Sequence, residues 1–88
     1  MAADIDERTQ FDWFCIARIH ETTGDYDEAL MAYEEAIKID AGYAKAWFHK
    51  AKLHYKLDQR KEAKDCIKRV LELKPEWEKY VKRYFPDL

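Results

Sequence analysis

Histidine and cysteine side chains are the groups in this sequence that could bind a metal. Cys15 and His20 are five positions apart, and so are His49 and His54. Two metal ligands on one helix need a spacing of three or four, because only that spacing places them on the same face. Cys15 and Cys66 also lack the C-x2-C spacing of a zinc or redox site. We therefore expect no metal site and two reduced thiols.

Carboxylates could act as general acid and base, but the sequence offers them no nucleophile and no enclosed site. The chain has no serine, and its two glycines, Gly24 and Gly42, are isolated, which excludes a phosphate-binding loop of known spacing. We expect acidic pairs such as Glu34-Glu35 to form a solvated helix face. The sequence therefore predicts a protein that is not an enzyme and that needs no cofactor.

A basic strip that could contact nucleic acid contains Lys61, Lys64, Lys68 and Arg69. Acidic residues interrupt this strip, and the whole chain has a net charge of −2. A solvated helix with ion pairs between positions i and i+4 explains the pattern better than a phosphate-binding surface. We therefore expect no nucleic-acid partner.

Apolar side chains recur at spacings of three and four, which indicates helices. The predicted helices cover about residues 10–23, 26–39, 44–57, 60–73 and 76–84. Gly24 can adopt the left-handed conformation that ends a helix, and Asp25 with Glu28 fits a capping box for the next one. Asp58 stands in the second hairpin turn, where it tolerates a positive φ less easily than glycine does.

The two ends of the chain differ in apolar pattern. In the last helix, which Pro75 suits as a first-turn residue, we expect one inward side formed by Trp77, Tyr80, Val81 and Tyr84. This helix would cap an array whose last apolar face is otherwise wet. Residues 1–9 show no apolar periodicity, so Phe11, Phe14 and Ile16 are expected to form an exposed patch typical of an interface.

The sequence repeats itself at an offset of 34 residues. The coinciding pairs are Trp13 and Trp47, Phe14 and Phe48, Ala17 and Ala51, His20 and His54, Glu28 and Glu62, Ala29 and Ala63, and Ile39 and Leu73. This period is typical of arrays of helical hairpins, which usually form an extended concave surface that binds another protein. We therefore expect binding rather than catalysis.

The repeated residues resemble the tetratricopeptide repeat, W-x2-L-G-x2-Y followed by A-x3-F and P. The matching segments are Trp13-x2-Ile16-Ala17-x2-His20 with Ala29-x3-Tyr33, and Trp47-x2-Lys50-Ala51-x2-His54 with Ala63-x3-Ile67 and Pro75. Both histidines stand where the family has tyrosine, which implies packing roles. The resemblance implies an all-α array of five helices in one domain, residues 1–88. Repeat 1 is expected at 10–43, repeat 2 at 44–77 and a capping helix at 76–84.

In that family the first helix of each hairpin lines a concave peptide groove. The matching positions chosen here are Phe14, Arg18, Lys45, Phe48, His49, Lys52, Lys79 and Arg83. Their basic and aromatic character would suit an extended acidic peptide. One subgroup grips a C-terminal carboxylate with a five-residue clamp. Lys79 and Arg83 match its last two positions, whereas Phe14, Arg18 and His49 stand at the other three without matching.

Charge is distributed unevenly along the chain. Residues 1–43 carry 11 acidic and 3 basic side chains, a net −8, whereas residues 44–88 carry 7 acidic and 13 basic ones, a net +6. Opposite charges at the two ends could serve an acidic ligand or a head-to-tail assembly. The sequence contains no apolar run long enough for a membrane span and no secretory signal, so we expect a cytoplasmic protein without a membrane partner.

The leading hypothesis is a non-catalytic interaction module that binds an acidic peptide segment of a partner in its concave groove. The alternative is a self-assembling scaffold, a homodimer formed through the N-terminal helix. The shortness of the array motivates this alternative, because two repeats are marginal alone. A third interpretation is one piece of a longer architecture, met by a larger partner.

Overall fold

The computed structural model describes residues 7–88, and these residues form helices and turns without a strand. The helices are α1 (Gln10–Thr23), α2 (Tyr26–Ile39), α3 (Ala44–Lys56), α4 (Arg60–Leu73) and α5 (Glu78–Tyr84), with a 3-10 turn at Pro75–Trp77 before α5. The five predicted helices are confirmed. Within residues 7–88, no helix combines the length and the hydropathy that crossing a bilayer would need.

A capping box that the sequence analysis missed begins α1. The Thr9 hydroxyl accepts a hydrogen bond from the Asp12 backbone N–H, and the Asp12 carboxylate accepts one from the Thr9 backbone N–H. The box predicted for Asp25 and Glu28 was wrong, because the Asp25 side chain makes no hydrogen bond to the first turn of α2. Its carboxylate accepts a hydrogen bond from the Thr23 hydroxyl instead, at 3.2 Å.

The two hairpin turns have the same construction, as a structural repeat requires. Gly24 ends α1 with a φ of 87°, and the equivalent Asp58 has a φ of 60°, as expected. In the first turn the Asp25 N–H donates to the carbonyl of His20 at 2.9 Å, and in the second the Gln59 N–H donates to the carbonyl of His54 at 2.8 Å. These are six-to-one bonds of the kind that closes a helix with a left-handed residue.

His20 and His54 were expected to pack between helices. In the structure they contact the hairpin turns instead. The His20 ring lies 3.7 Å from the Asp25 carboxylate, and the His54 ring lies 2.6 Å from the side-chain oxygen of Gln59. Both rings are only half-buried. Each histidine therefore holds the residue that precedes the next helix, in the same way in both repeats.

Small and apolar side chains fill two cores. The first core joins α1, α2 and α3 through Ala17, Ala29, Ala32, Tyr33 and Leu53. The second joins α3, α4 and α5 through Ala51, Cys66, Ile67, Val70, Val81 and Phe85. Repeat-related alanines such as Ala17 and Ala51 are fully buried, and their small side chains let the helices approach closely.

Contacts between α2 and α3 join the two repeats. The Lys50 ammonium lies 3.4 Å from the Glu34 carboxylate, and the Trp47 indole N–H donates to the carbonyl of Ala41 at 2.9 Å. Lys50 also lies over the Trp47 ring. A lysine can therefore occupy a family leucine position, since its stem packs on an aromatic ring and its charge is paired.

The capping helix differs from its sequence prediction. Val81 is buried, but Tyr80 and Tyr84, also expected on the inward side, remain 54% and 46% exposed. Phe85, one residue beyond α5, is buried in their place. The tail is then held by Asp87, which accepts hydrogen bonds from other parts of repeat 2. The apolar stripe that seals repeat 2 is thus rotated by one position from the predicted one.

Candidate binding site

A surface cavity of about 310 Å³ lies between α3 and α5. Its lining residues are Lys45, Phe48, His49, Trp77, Tyr80 and Tyr84. Three of the eight predicted site residues, Lys45, Phe48 and His49, therefore line one cavity. Its volume lies at the lower end of the range that small ligands and single side chains occupy.

Aromatic side chains form the walls of this cavity. The Phe48 ring lies 5.6 Å from the Tyr84 ring and 6.1 Å from the Trp77 ring between centroids, with interplanar angles near 80°. Edge-to-face packing of this kind fixes ring orientation and adds stability beyond burial alone. Because Phe48 also packs on the buried Phe85 ring, the wall is anchored in the core of repeat 2.

Two lysines of α3 supply positive charge next to these rings. The Lys52 ammonium lies 4.6 Å from the Tyr84 ring centroid and 5.9 Å from that of Phe48. Lys45 is exposed and lines the cavity directly. Among residues 7–88, neither lysine has a carboxylate within ion-pair distance. Both cations are therefore available to an anionic ligand.

His49 is a half-buried neutral group that lines the cavity. Burial, followed by the nearby positive charges of Arg18 and Lys52, lowers the pKa of His49 to about 4. The Arg18 guanidinium lies 3.4 Å from Nδ1 of His49. Because arginine only donates, Nδ1 accepts and the ring carries its proton on Nε2. His49 can therefore offer a hydrogen-bond donor without carrying a charge.

Arg18 is engaged by other residues of repeat 1, although the sequence analysis placed it in the groove. Its guanidinium lies 3.4 Å from the Glu21 carboxylate. The same carboxylate accepts a hydrogen bond of 2.5 Å from the Tyr33 hydroxyl. Burial and this bond to Glu21 raise the pKa of Tyr33 well above its usual range. Arg18 thus contacts His49 while the Glu21 carboxylate balances part of its charge.

Phe14 contributes to the same support. Its ring packs edge-on against His49, with centroids 5.1 Å apart, and also contacts Tyr33 and Tyr43. The predicted patch of Phe11, Phe14 and Ile16 is therefore divided. Phe11 remains 58% exposed, whereas Ile16 lies half-buried beside a different cavity.

Lys79 and Arg83 are exposed on α5 but do not line the cavity. Lys52 reaches it through its contact with Tyr84. Of the five positions compared with the carboxylate clamp, only His49 lines the cavity. The clamp arrangement is therefore not assembled around this site.

The other three lining residues were not predicted as site residues. The sequence placed Trp77, Tyr80 and Tyr84 on the inward side of the last helix. Their signal was the aromatic spacing of three and four, which indicates a helix face but does not say whether core or ligand covers it.

Metal binding and thiol chemistry are the other two kinds of site that the sequence raised. Between residues 7 and 88 there is no group of three or more histidine, cysteine or acidic side chains that could hold a metal ion. Both cysteines are free. Burial raises the pKa of the Cys66 thiol to about 11, so this thiol stays protonated and unreactive at neutral pH.

Comparison with known proteins identifies the repeat. The sequence profile of the tetratricopeptide repeat matches residues 22–83. Tetratricopeptide repeat protein 12 of Mus musculus is 36% identical over 61 residues, and its Homo sapiens counterpart is 37% identical over 60 residues. These alignments cover 69% and 68% of this chain, but only 9% and 8% of the relatives.

A third similar protein carries a name other than tetratricopeptide repeat protein. An N-terminal acetyltransferase A complex subunit-like protein of Schizosaccharomyces pombe is 31% identical over 72 residues, which is 82% of this chain and 10% of that protein. The chain thus spans about a tenth of the length of the curated relatives it matches. It belongs to the tetratricopeptide repeat family, whose repeats are typically non-catalytic modules of protein–protein interaction.

Proposed function

We propose that the chain is a non-catalytic module that binds an extended acidic peptide segment of a partner protein. The observation that carries this proposal is the cavity between α3 and α5, which combines aromatic walls with Lys45 and Lys52, two lysines without an ion-pair partner among residues 7–88. An apolar ligand side chain that enters the cavity is removed from water and packs on the Phe48 and Tyr84 rings. A carboxylate next to that side chain would meet Lys45 or Lys52. Apolar anchoring and charge attraction therefore act on adjacent residues of one peptide.

The electrostatic surroundings support an acidic ligand. Residues 44–88 carry a net charge of +6, which would attract a negative peptide from a distance and speed its encounter. Lys79 and Arg83 lie on the exposed surface of α5 and add to this field without lining the cavity. The neutral His49 can donate a hydrogen bond to a peptide carbonyl. A strongly basic peptide would be repelled at the same site.

The proposal can be tested with labelled peptides and fluorescence anisotropy. The probe is a short fluorescein-labelled peptide with glutamates on both sides of one phenylalanine. Its two controls replace the glutamates with glutamine or the phenylalanine with alanine. We expect wild type to bind the glutamate peptide roughly tenfold more tightly than the glutamine peptide, since charge-assisted hydrogen bonds are the stronger kind. Equal affinity for these two peptides would refute the acidic-peptide proposal.

A matched pair of variants locates the binding surface. In the test variant, Lys45→Glu and Lys52→Glu reverse two charges seven positions apart on α3. In the control variant, Lys61→Glu and Lys68→Glu make the same change at the same spacing on α4, away from the cavity. We expect roughly a tenfold loss of affinity in the first variant only. Equal losses in both would mean that net charge, rather than the cavity, attracts the peptide.

A further inference from the structure

The molecule has a second cavity, of about 310 Å³, on the end that begins with α1 and α2. We call this surface the N-terminal end face, and its lining residues are Trp13, Ile16, His20, Glu28, Met31, Ala32 and Glu35. It is separate from the peptide cavity, with which it shares no lining residue. Met31 on this face is 60% exposed, which is unusual for a large apolar side chain at the centre of a helical hairpin.

The second repeat shows what such a face binds. The residues of repeat 2 that correspond to Trp13 and Ile16 are Trp47 and Lys50. In repeat 2 the Trp47 and Lys50 side of this face packs on the preceding hairpin, through the ion pair of Lys50 with Glu34 of α2 and the hydrogen bond from Trp47 to the carbonyl of Ala41 in the loop after α2. The Trp13 and Ile16 side of the N-terminal end face therefore corresponds to a surface on which a helix docks in repeat 2, and no helix among residues 7–88 covers it.

The chemistry of the N-terminal end face differs from that of its covered counterpart. Ile16 stands where repeat 2 has Lys50, and Glu35 stands where repeat 2 has Arg69. Met31 likewise replaces an aspartate. The face thus combines apolar residues with two carboxylates, Glu28 and Glu35, of which Glu35 also lies 2.9 Å from the Lys38 ammonium on its own helix. A helix that suits it must bring apolar side chains flanked by cations, the reverse of the Glu34 that α2 offers to Lys50.

The last helix of the same chain has this composition. Tyr80 and Tyr84 are large and about half exposed. Lys79 and Arg83 are exposed, and neither has an ion-pair partner among residues 7–88. The molecule is elongated, about 50 × 27 × 18 Å, and its N-terminal and C-terminal halves carry −8 and +6. We propose that α5 of one copy docks on the N-terminal end face of a second copy.

This contact is head-to-tail, so each copy uses two different surfaces. A contact of this kind leaves one free surface at each end of a dimer, and further copies can add until a ring closes or a filament forms. The charges also predict a dependence on salt. The screening length is about 30 Å at 0.01 M salt and about 10 Å at 0.1 M salt, so association should weaken as salt is added.

Two variants that each block one surface test the proposal by sedimentation velocity. Met31→Glu adds a charge to the N-terminal end face at an exposed helical position. The other variant carries Lys79→Glu and Arg83→Glu on α5. We expect wild type to form species larger than a dimer at low salt and each variant alone to be monomeric. An equimolar mixture should show twofold the monomer mass and nothing larger, because one intact pair of surfaces remains.

Controls separate this outcome from misfolding and from a change of net charge. The double variant Lys64→Glu and Lys68→Glu has the same charge and the same spacing on the outer side of α4, and it should assemble like wild type. Circular dichroism checks that each variant keeps its helices. A monomeric wild type at low salt, or a mixture that stays monomeric, would overturn the proposal. So would an α5 variant that still dimerises, because that result requires a symmetric contact.

Discussion

Acidification should destabilise this protein through His49. Burial, followed by the charges of Arg18 and Lys52, lowers the pKa of His49 to about 4, against about 6.5 in an unfolded chain. Between about pH 6.5 and pH 4, His49 is therefore mostly protonated in the unfolded state and mostly neutral in the folded state. The contribution of His49 to stability is complete above pH 6.5 and is lost as the pH falls from 6.5 towards 4.

The size of this effect follows from the two pKa values. Proton linkage with values of about 6.5 and about 4 gives an upper limit of about 2 kcal/mol between pH 7 and pH 5. The ring is half-buried and partly screened by solvent, so we expect about 1 kcal/mol. For a domain of this size, a change of 1 kcal/mol moves the thermal midpoint by roughly 4–8 °C.

The assay compares urea unfolding of wild type and His49→Gln at pH 7 and pH 5, followed by tryptophan fluorescence. Glutamine is neutral at both values, so the loss of stability on acidification should be about 1 kcal/mol smaller in the variant. All other titrating groups are common to the two proteins and cancel in the difference. Proton NMR of the ring measures the pKa of His49 directly. Equal losses in both proteins, together with a ring pKa near 6.5, would refute the reasoning.

Three backbone predictions concern the helix ends and use urea unfolding at neutral pH. Thr9→Ala should lower the free energy of unfolding by about 1 kcal/mol because it removes the capping box with Asp12; an unchanged value would mean that this box is not formed in solution. Gly24→Ala should cost about 1 kcal/mol although nothing lies within 4 Å of the added carbon, because φ is +87°. Asp58→Gly should raise stability by about 0.5 kcal/mol, since the φ of 60° favours glycine; a loss would show that the aspartate side chain matters more than its backbone.

The helices could be predicted from the sequence because their signals are local. The spacing of apolar residues predicted the helix ranges, and Gly24 and Asp58 indicated the hairpin turns. The resemblance to the tetratricopeptide repeat then placed Lys45, Phe48 and His49 on one surface, because in that family the first helix of each hairpin lines the groove. These were the three predicted residues that line the cavity.

The last helix could not be oriented in this way. Tyr80 and Tyr84 form one apolar stripe with a spacing of four, and Val81 and Phe85 form another with the same spacing. Periodicity alone gives both stripes equal weight. Packing against α3 and α4 decides between them, since Val81 and Phe85 fill the second core and leave the tyrosines to the cavity. The engagement of Arg18 was equally hidden, because it depends on Tyr33 and Glu21 from two different helices.

Tyr80 and Tyr84 connect the two proposals, because both line the peptide cavity and both belong to the exposed face of α5. If α5 docks on a second copy, these side chains cannot be free for both surfaces. Binding of a peptide and assembly must then influence each other, and thermodynamic linkage makes the influence reciprocal. A peptide that fills the cavity would lower the association constant of assembly by the same factor by which assembly lowers the affinity for the peptide. The short capping helix would in that case control the choice between a free module that binds peptide and an assembled one that does not.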